Sequence, residues 1–217
     1  GYVVIAEKLK NKNVLVTGGA GFIGSHLCEK LLEYQANVHI FDNFSTGKEE
    51  NLKNIKDRIV VHRGFIEDYE QIKKASLGCE YIFHQAYPYG SQGRGLEQQY
   101  IEDGVLGTFN VLKSAVENKV TTVVNVSSVA AYGTIANDDL VEKNIGRPFL
   151  PYGVTKLSGE LYCQAFSRMY NLNTVSLRYF YVFGERYAEF DHSALVKFME
   201  CSKKNVPITI FGNGSQI

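Results

Sequence analysis

The chain has no excess charge of either sign, no paired cysteines and no long uninterrupted apolar run, and each absence removes a class of function. Lysine plus arginine number 23, and so do aspartate plus glutamate, over 217 residues. A balanced chain has no basic field to hold a nucleic-acid backbone or an anionic membrane surface, so a small molecule is expected as the partner, with no nucleic acid and no membrane. The four cysteines, Cys28, Cys79, Cys163 and Cys201, stand far apart and do not cluster with the five histidines. Neither a zinc site nor a disulfide framework is expected; reduced packing cysteines fit a soluble cytoplasmic protein without a metal. The first twelve residues are broken by Glu7, Lys8 and Lys10, too short and too charged a stretch for a signal peptide or a membrane span. Repeats, low-complexity tracts and charge blocks are also missing.

What is present is a core. Hydrophobic residues make up 45% of the chain and aromatics 12%, enough for one full domain and part of another. Valine- and isoleucine-rich runs recur at 13–17, 37–41, 58–62, 80–84, 121–126 and 174–178. Each is short, continuous and bounded by turn residues, the pattern of a parallel strand buried on both faces. Helical spacing fills the intervals at 23–33, 69–76, 96–118 and 152–170. Strand and helix alternating in this way predict an α/β fold, a doubly wound parallel sheet. Residues 133–151 lack periodicity and read as a long loop above the carboxyl ends of the strands, the edge where such sheets bind ligands. A last helix near 194–203 and a possible strand near 208–211 follow.

The first strand leads into Thr17-Gly18-Gly19-Ala20-Gly21-Phe22-Ile23-Gly24, with glycines at 18, 21 and 24 between a strand and a helix. The first permits a sharp turn, the second a close backbone approach to a pyrophosphate, the third close packing of the helix on the sheet. The helix N-terminus then offers free N–H groups to the phosphates. Asp42 closes the second strand, where a carboxylate can accept hydrogen bonds from the adenosine ribose and repel the extra phosphate of NADP, so NAD is the expected cofactor. Asp42 also suits the start of the turn Asp42-Asn43-Phe44-Ser45-Thr46-Gly47, and both roles can hold at once.

Ser127 and Ser128 follow the fifth strand, and Tyr152-Gly153-Val154-Thr155-Lys156 opens the next helix behind Pro151. Tyrosine and lysine four apart share one helix face. A free phenol ionises near pH 10, so a tyrosine base at neutrality needs its pKa lowered by roughly three units, about 4 kcal/mol. An ammonium at Lys156 and a positive nicotinamide ring would supply this, while Ser128 holds the same substrate hydroxyl. His84, ending the fourth strand, reads as a packed histidine.

Together these residues resemble the extended short-chain dehydrogenase/reductase family, within its NAD-dependent epimerase/dehydratase group. The resemblance runs through the glycine loop at 17–27, the segment 42–48, the segment 127–133, the Tyr152–Lys156 helix start, and Leu177-Arg178-Tyr179-Phe180-Tyr181-Val182-Phe183-Gly184. It implies a Rossmann NAD-binding domain over 1–184 and the beginning of a smaller substrate-binding domain over 185–217, where the chain ends and family members continue. It implies catalysis by Ser128, Tyr152 and Lys156. NAD contacts are implied at Gly18, Gly21, Phe22, Ile23, Gly24, Asp42, Asn43, Ser45, Thr46, Gly47, Ile66, Ala86, Tyr152, Lys156 and Tyr179. Substrate contacts are implied at Tyr87, Ser128, Tyr152 and Tyr181. In the family the tyrosine takes a proton from a sugar hydroxyl, hydride passes to the nicotinamide, and the keto-sugar turns over and takes the hydride back on its other face. Dehydratases and decarboxylases of the family carry an acid just past the catalytic serine or threonine. Here Val129-Ala130 follows, which favours a sugar-nucleotide epimerase, with 4-epimerisation of a UDP-sugar expected.

A reductase, dehydratase or decarboxylase is the alternative within the family, and an NAD-binding scaffold without catalysis is the third reading. Departures from the family pattern motivate the latter: Phe65 where an aspartate meets the adenine, Gly104 for an asparagine near the cofactor and Tyr181 for an asparagine at the substrate diphosphate; a bulky His84-Gln85-Ala86-Tyr87-Pro88-Tyr89-Gly90 run is a further departure, on the substrate side. A homodimer through the two long helices is implied by the resemblance.

Overall fold

In a computed structural model of the chain, the residues described are 2–88, 95–133, 142, 146–187, 194–210 and 212–213. Six strands carry the architecture: β1 (Asn13–Thr17), β2 (Asn37–Asp42), β3 (Ile59–Arg63), β4 (Tyr81–His84), β5 (Thr122–Ser128) and β6 (Asn173–Tyr179). They form one sheet in the order β3-β2-β1-β4-β5-β6, with every pairing parallel. The order reverses between β1 and β4, so a crevice opens there at the carboxyl edge, the place where doubly wound sheets bind nucleotides. The expected Rossmann α/β fold is the fold of the chain.

The strand period of two sends alternate side chains to opposite layers. Val14 and Val16 of β1 join Val38 and Ile40 in a core with Cys28, Leu31 and Leu32 of α2 (Phe22–Glu33). Leu15, between them, enters the other core with Phe41, Ile82 and Val123. That second layer is closed by α3 (Tyr69–Ala75), α5 (Gly107–Glu117) and α6 (Pro151–Tyr170), which contribute Ile72, Val111, Leu112, Cys163 and Phe166. A short α1 (Tyr2–Leu9) precedes β1, and α7 (Ala194–Lys204) matches the last expected helix.

Three readings are corrected. Not every strand is buried on both faces: β3 lies at a sheet edge and exposes Val60 and Val61, and β6, at the other edge, alternates covered and exposed positions. The helix read as one run over 96–118 is three pieces: α4 (Glu97–Gln99), a π-helical turn over Tyr100–Leu106, and α5. Within it the Thr108 hydroxyl donates to the Gly104 carbonyl at 2.6 Å, the side-chain competition for a backbone acceptor that loosens helices. Residues 208–210 form no strand, and Phe211 lies outside the described residues. So do 134–141 and 143–145 of the expected loop, and Tyr89 and Gly90 of the bulky run.

The chain divides into two compact units, Gly1–Phe180 and Tyr181–Ile217. No helix among the described residues is long and apolar enough to cross a membrane.

Candidate active site

The glycine loop has the shape its spacing requires. Gly18 sits at φ +69, a left-handed conformation that side chains resist, and turns the chain out of β1. A Cβ on Gly24 would collide with the Gly18 carbonyl oxygen, so only glycine lets α2 start this close to the loop. The helix opens from Gly21, which brings no capping side chain, and leaves Phe22 and Ile23 in the first turn. No side chain caps this helix start.

Asp42 makes the turn expected of its position and also ties two elements together. Its Oδ1 accepts the Phe44 N–H at 2.8 Å, which makes the turn, and its Oδ2 accepts the Ala20 N–H at 2.9 Å, which ties β2 to the glycine loop. One backbone donor on each oxygen leaves lone pairs for ribose hydroxyls. Burial pushes its carboxyl above the usual range, against the pull of these two N–H groups and of Arg63. Asn43 closes the next turn by accepting the Ser45 N–H at 2.9 Å, Thr46 is exposed, and Gly47 packs against Ala20. Beside Asn43 and Ser45 lies a cleft of about 360 Å³ that is also lined by Phe65, Glu67 and Asp103. Phe65 is exposed there, whereas Ile66 is turned into the core and its carbonyl accepts from Asn110 at 3.1 Å. Burial and the neighbouring Glu67 push Asp103 up to about 6.

Across the crevice, β5 ends at Ser128, whose Oγ accepts the Ala130 N–H at 3.2 Å, and whose backbone pairs with Tyr179. Pro151 at its start sets the entry of α6. A Cβ on Gly153 would strike the Ala130 carbonyl oxygen, so the first turn of α6, with Tyr152, rests on the turn that follows Ser128. Tyr152 packs its ring 5.9 Å from that of Tyr100. One turn on, Lys156 is 2% exposed; its Nζ donates to the Val126 carbonyl at 3.1 Å and lies 5.6 Å from the centre of the Tyr152 ring. Burial drives this amine well below the ordinary ammonium range. Among the described residues no carboxylate pairs with it. What faces it instead is the ring of Tyr87, 3.0 Å from Nζ to the ring centre, an attraction of about 2 kcal/mol when desolvated.

Tyr87 was expected on the substrate side, but its hydroxyl is engaged inside the protein, 2.9 Å from Thr108 Oγ1 and 3.2 Å from Asn125 Oδ1. It belongs to a buried polar chain. Thr17 Oγ1 lies 2.8 Å from His84 Nδ1, and His84 Nε2 lies 3.0 Å from Thr108 Oγ1. The only proton of Thr108 goes to the Gly104 carbonyl. Its oxygen must therefore accept from His84, which makes the imidazole a neutral Nε2–H tautomer with Thr17 donating to Nδ1. Thr17 Oγ1 then accepts from Gln85 and Ala86 N–H at 3.1 and 3.2 Å. His84 is thus a packed histidine that locks the β1 and β4 ends together. Burial and the nearby Lys156 push it down to about 3.

A pH prediction follows. Because the folded protein resists protonating His84 while the unfolded chain does not, stability is full above about pH 6.5 and is lost as the pH falls toward 3. The expected cost is about 2 kcal/mol between pH 7 and pH 5. Urea titrations of wild type and His84→Gln at both values isolate this share from the carboxylates. Equal losses in the two proteins would contradict it, as would imidazole ¹⁵N shifts showing the Nδ1–H tautomer.

Sequence reasoning missed a second element beside Ser128. Glu160, two turns beyond Tyr152, accepts from Arg178 Nε at 2.8 Å and Arg178 Nη2 at 2.7 Å, and from the Ser127 hydroxyl. The guanidinium stacks 4.3 Å from the Tyr132 ring centre. Burial raises the Glu160 carboxyl, but the hydrogen bonds from Arg178 and Ser127 and the Arg178 charge outweigh it and leave the group below its usual range. The available signal was one arginine inside the otherwise uncharged run from Asn173 to Phe183, which demands a partner. Gly104 lies in the π-helical turn, where a Cβ would collide with Thr155 Cγ2, so no side chain fits at that position. Tyr181 is exposed and belongs to the second compact unit.

The profile of the family described as "NAD dependent epimerase/dehydratase family" matches residues 14–217. Among solved structures, the chain is 34% identical to a UDP-N-acetylglucosamine 4-epimerase from Methanobrevibacter ruminantium M1, with a TM-score of 0.86, covering 95% of this chain and 67% of that one. It is 33% identical over 213 residues to an uncharacterized UDP-glucose epimerase of Bacillus subtilis strain 168, covering 94% of this chain and 66% of the relative. A dTDP-glucose 4,6-dehydratase from Streptomyces venezuelae, solved with NAD bound, is 27% identical with a TM-score of 0.82, covering 94% and 66%. The chain therefore belongs to the NAD dependent epimerase/dehydratase family, and NAD is the cofactor that membership brings. It spans about two thirds of the length of these relatives.

Proposed function

We propose that the protein is an NAD-dependent sugar-nucleotide epimerase, acting at C4 of a UDP-sugar through a transient 4-keto form. The observation that supports this reading is the packing of the first turn of α6, with Tyr152, on the turn that follows Ser128, and the burial of Lys156 one turn on, with apolar Val129 and Ala130 where an acid would stand for elimination or decarboxylation. In this reading the loop Gly18–Gly24 and the first turn of α2 hold the pyrophosphate, Asp42 the adenosine ribose, and Lys156 the nicotinamide ribose. The segments Asn43–Gly47, Ile66, Ala86 and Tyr179 complete the wall. NAD supplies, when bound, a reversible two-electron oxidation of the sugar carbon. Tyr152 removes the hydroxyl proton as that oxidation proceeds and returns it afterwards, and Ser128 hydrogen-bonds the same oxygen. With no second acid on the turn after Ser128, nothing there draws the keto form onward, and reversal completes an epimerisation.

Residues 185–217 begin the substrate-binding part in this reading, and Tyr181 lies just before it. A homodimer through the helical run 96–118 and α6 is supported by the exposed Ile101 and Leu106 on the first and Val154, Leu161, Tyr162 and Met169 on the second; a cytoplasmic location goes with this reading. Dehydration is the second reading, favoured by the dehydratase among the similar structures.

The test is to denature the purified full-length protein, assay the supernatant for NAD, and offer the native protein UDP-, GDP-, CDP- and dTDP-sugars. Released NAD and a product of unchanged mass with inverted C4 are expected. A product lighter by one water would establish the second reading instead.

A further inference from the structure

We infer that Tyr87 is a positioning residue for the Tyr152–Lys156 pair, its ring face serving as the seat of the buried Lys156 ammonium. The inference rests on the reading of Tyr152 as the proton-transfer group. Three observations carry it. The ring centre lies 3.0 Å from Lys156 Nζ, as near as the Val126 carbonyl oxygen at 3.1 Å. The hydroxyl at the far end of the ring has two acceptors for its one proton, Thr108 Oγ1 on α5 and Asn125 Oδ1 on β5, which tethers the ring in place. And α6 makes room for it: a Cβ on Gly159 would stand 2.9 Å from the Tyr87 hydroxyl.

An aromatic face attracts a cation through its quadrupole without supplying a negative charge. That distinction matters here. A carboxylate under Lys156 would also hold the ammonium, but it would cancel the positive potential that Tyr152 needs in order to ionise. A ring stabilises the charge and leaves its field intact. The same geometry explains why a residue read as a substrate contact is turned inward. The other titratable groups around the pair do not take over this role: His84 on the β4 side is neutral, Tyr100 presents a ring to Tyr152, and Glu160 is paired with Arg178.

The test uses the NAD-loaded, full-length protein and follows tyrosinate absorbance against pH, with the pH profile of turnover measured in parallel. Tyr152→Phe identifies which ionisation belongs to Tyr152. At position 87 the ring is kept and its face weakened stepwise: Tyr87→Phe, then singly, doubly and triply fluorinated phenylalanine, all of nearly one shape. Tyr87→Leu removes the face altogether. The expected result is a stepwise rise of the Tyr152 ionisation with fluorine number, reaching about a tenfold weaker acid in Tyr87→Leu, with the alkaline-going limb of turnover moving in step. A Tyr152 ionisation that is present, is lost in Tyr152→Phe, and does not move across the fluorinated series overturns the inference while leaving the proposed function standing. An ionisation below the ordinary tyrosine range that survives Tyr152→Phe, or none in wild type, removes the proposed function and this inference with it.

Discussion

Replacing Tyr152→Phe is expected to lower turnover of the sugar nucleotide by about a hundred- to ten-thousand-fold, the contribution of a positioned proton-transfer group, while NAD stays bound and the unfolding midpoint scarcely moves. The substitution removes one oxygen and keeps the ring that packs against Tyr100. The glycine loop and Asp42 lie at the ends of β1 and β2, on the far side of the crevice from α6, so the phosphate and adenosine contacts proposed there are expected to be unaffected. Ser128→Ala is expected to cost less, because it removes one hydrogen bond to the reacting oxygen and no proton path. Turnover within threefold of wild type in Tyr152→Phe, with NAD still bound, would rule out the assigned role and leave the scaffold reading. Loss of NAD in that variant would show instead that the tyrosine serves chiefly to bind the cofactor.

The parts of the molecule that were legible in the sequence are those encoded locally. Each strand announced itself as a valine- or isoleucine-rich run because a central parallel strand is buried on both faces, and β1 fell on its expected residues, 13–17. The exceptions are instructive. Val60 and Val61 on β3 look like core residues in the sequence, but an edge strand has fewer neighbours to cover it, and edge position is a property of the whole sheet. The break in the 96–118 helix has a similar origin. Every residue there tolerates a helix, and the π-helical turn accompanies a hydroxyl capture, Thr108 on Gly104, that also serves His84 and Tyr87.

The candidate site divides along the same line. The glycine loop and the Tyr152–Lys156 pair depend on spacings of a few residues, which a chain displays openly. The orientation of Tyr87 depends on partners 21 and 38 residues away. The bulk of its run, His84 to Gly90, was visible, but nothing local tells an inward ring from one facing a substrate. The Glu160–Arg178 pair is hidden for the same reason, its members standing 18 positions apart and Glu160 and Ser127 33 apart.

That pair carries the largest expected effect on stability. Arg178→Ala is expected to destabilise the protein by about 3–5 kcal/mol at pH 7, because it strands a buried carboxylate rather than because the pair itself binds strongly. The side chains of Arg178 and Glu160 are 15% and 7% exposed, so water cannot replace the lost partner. The pH dependence separates the two explanations. In wild type the Glu160 carboxyl lies below its ordinary value, so its stabilisation is present above about pH 4.5 and fades as the pH falls further. In Arg178→Ala the depressing charge is gone, burial then dominates, and the carboxyl rises above its unfolded value. Both proteins keep the buried His84 and so weaken as the pH is lowered from 7 to 5, but the gap between Arg178→Ala and wild type should narrow over that range as Glu160 takes up a proton in the variant alone. Glu160→Gln combined with Arg178→Met is expected to cost much less than Arg178→Ala alone, since no charge is left stranded. Chemical denaturation of the three proteins at pH 7 and pH 5 decides the matter. A double variant as unstable as the single one would mean that the joint between β5, β6 and α6 depends on the pair's geometry. In that case the effect would reach Ser128 and Tyr152 directly, and turnover would fall with stability.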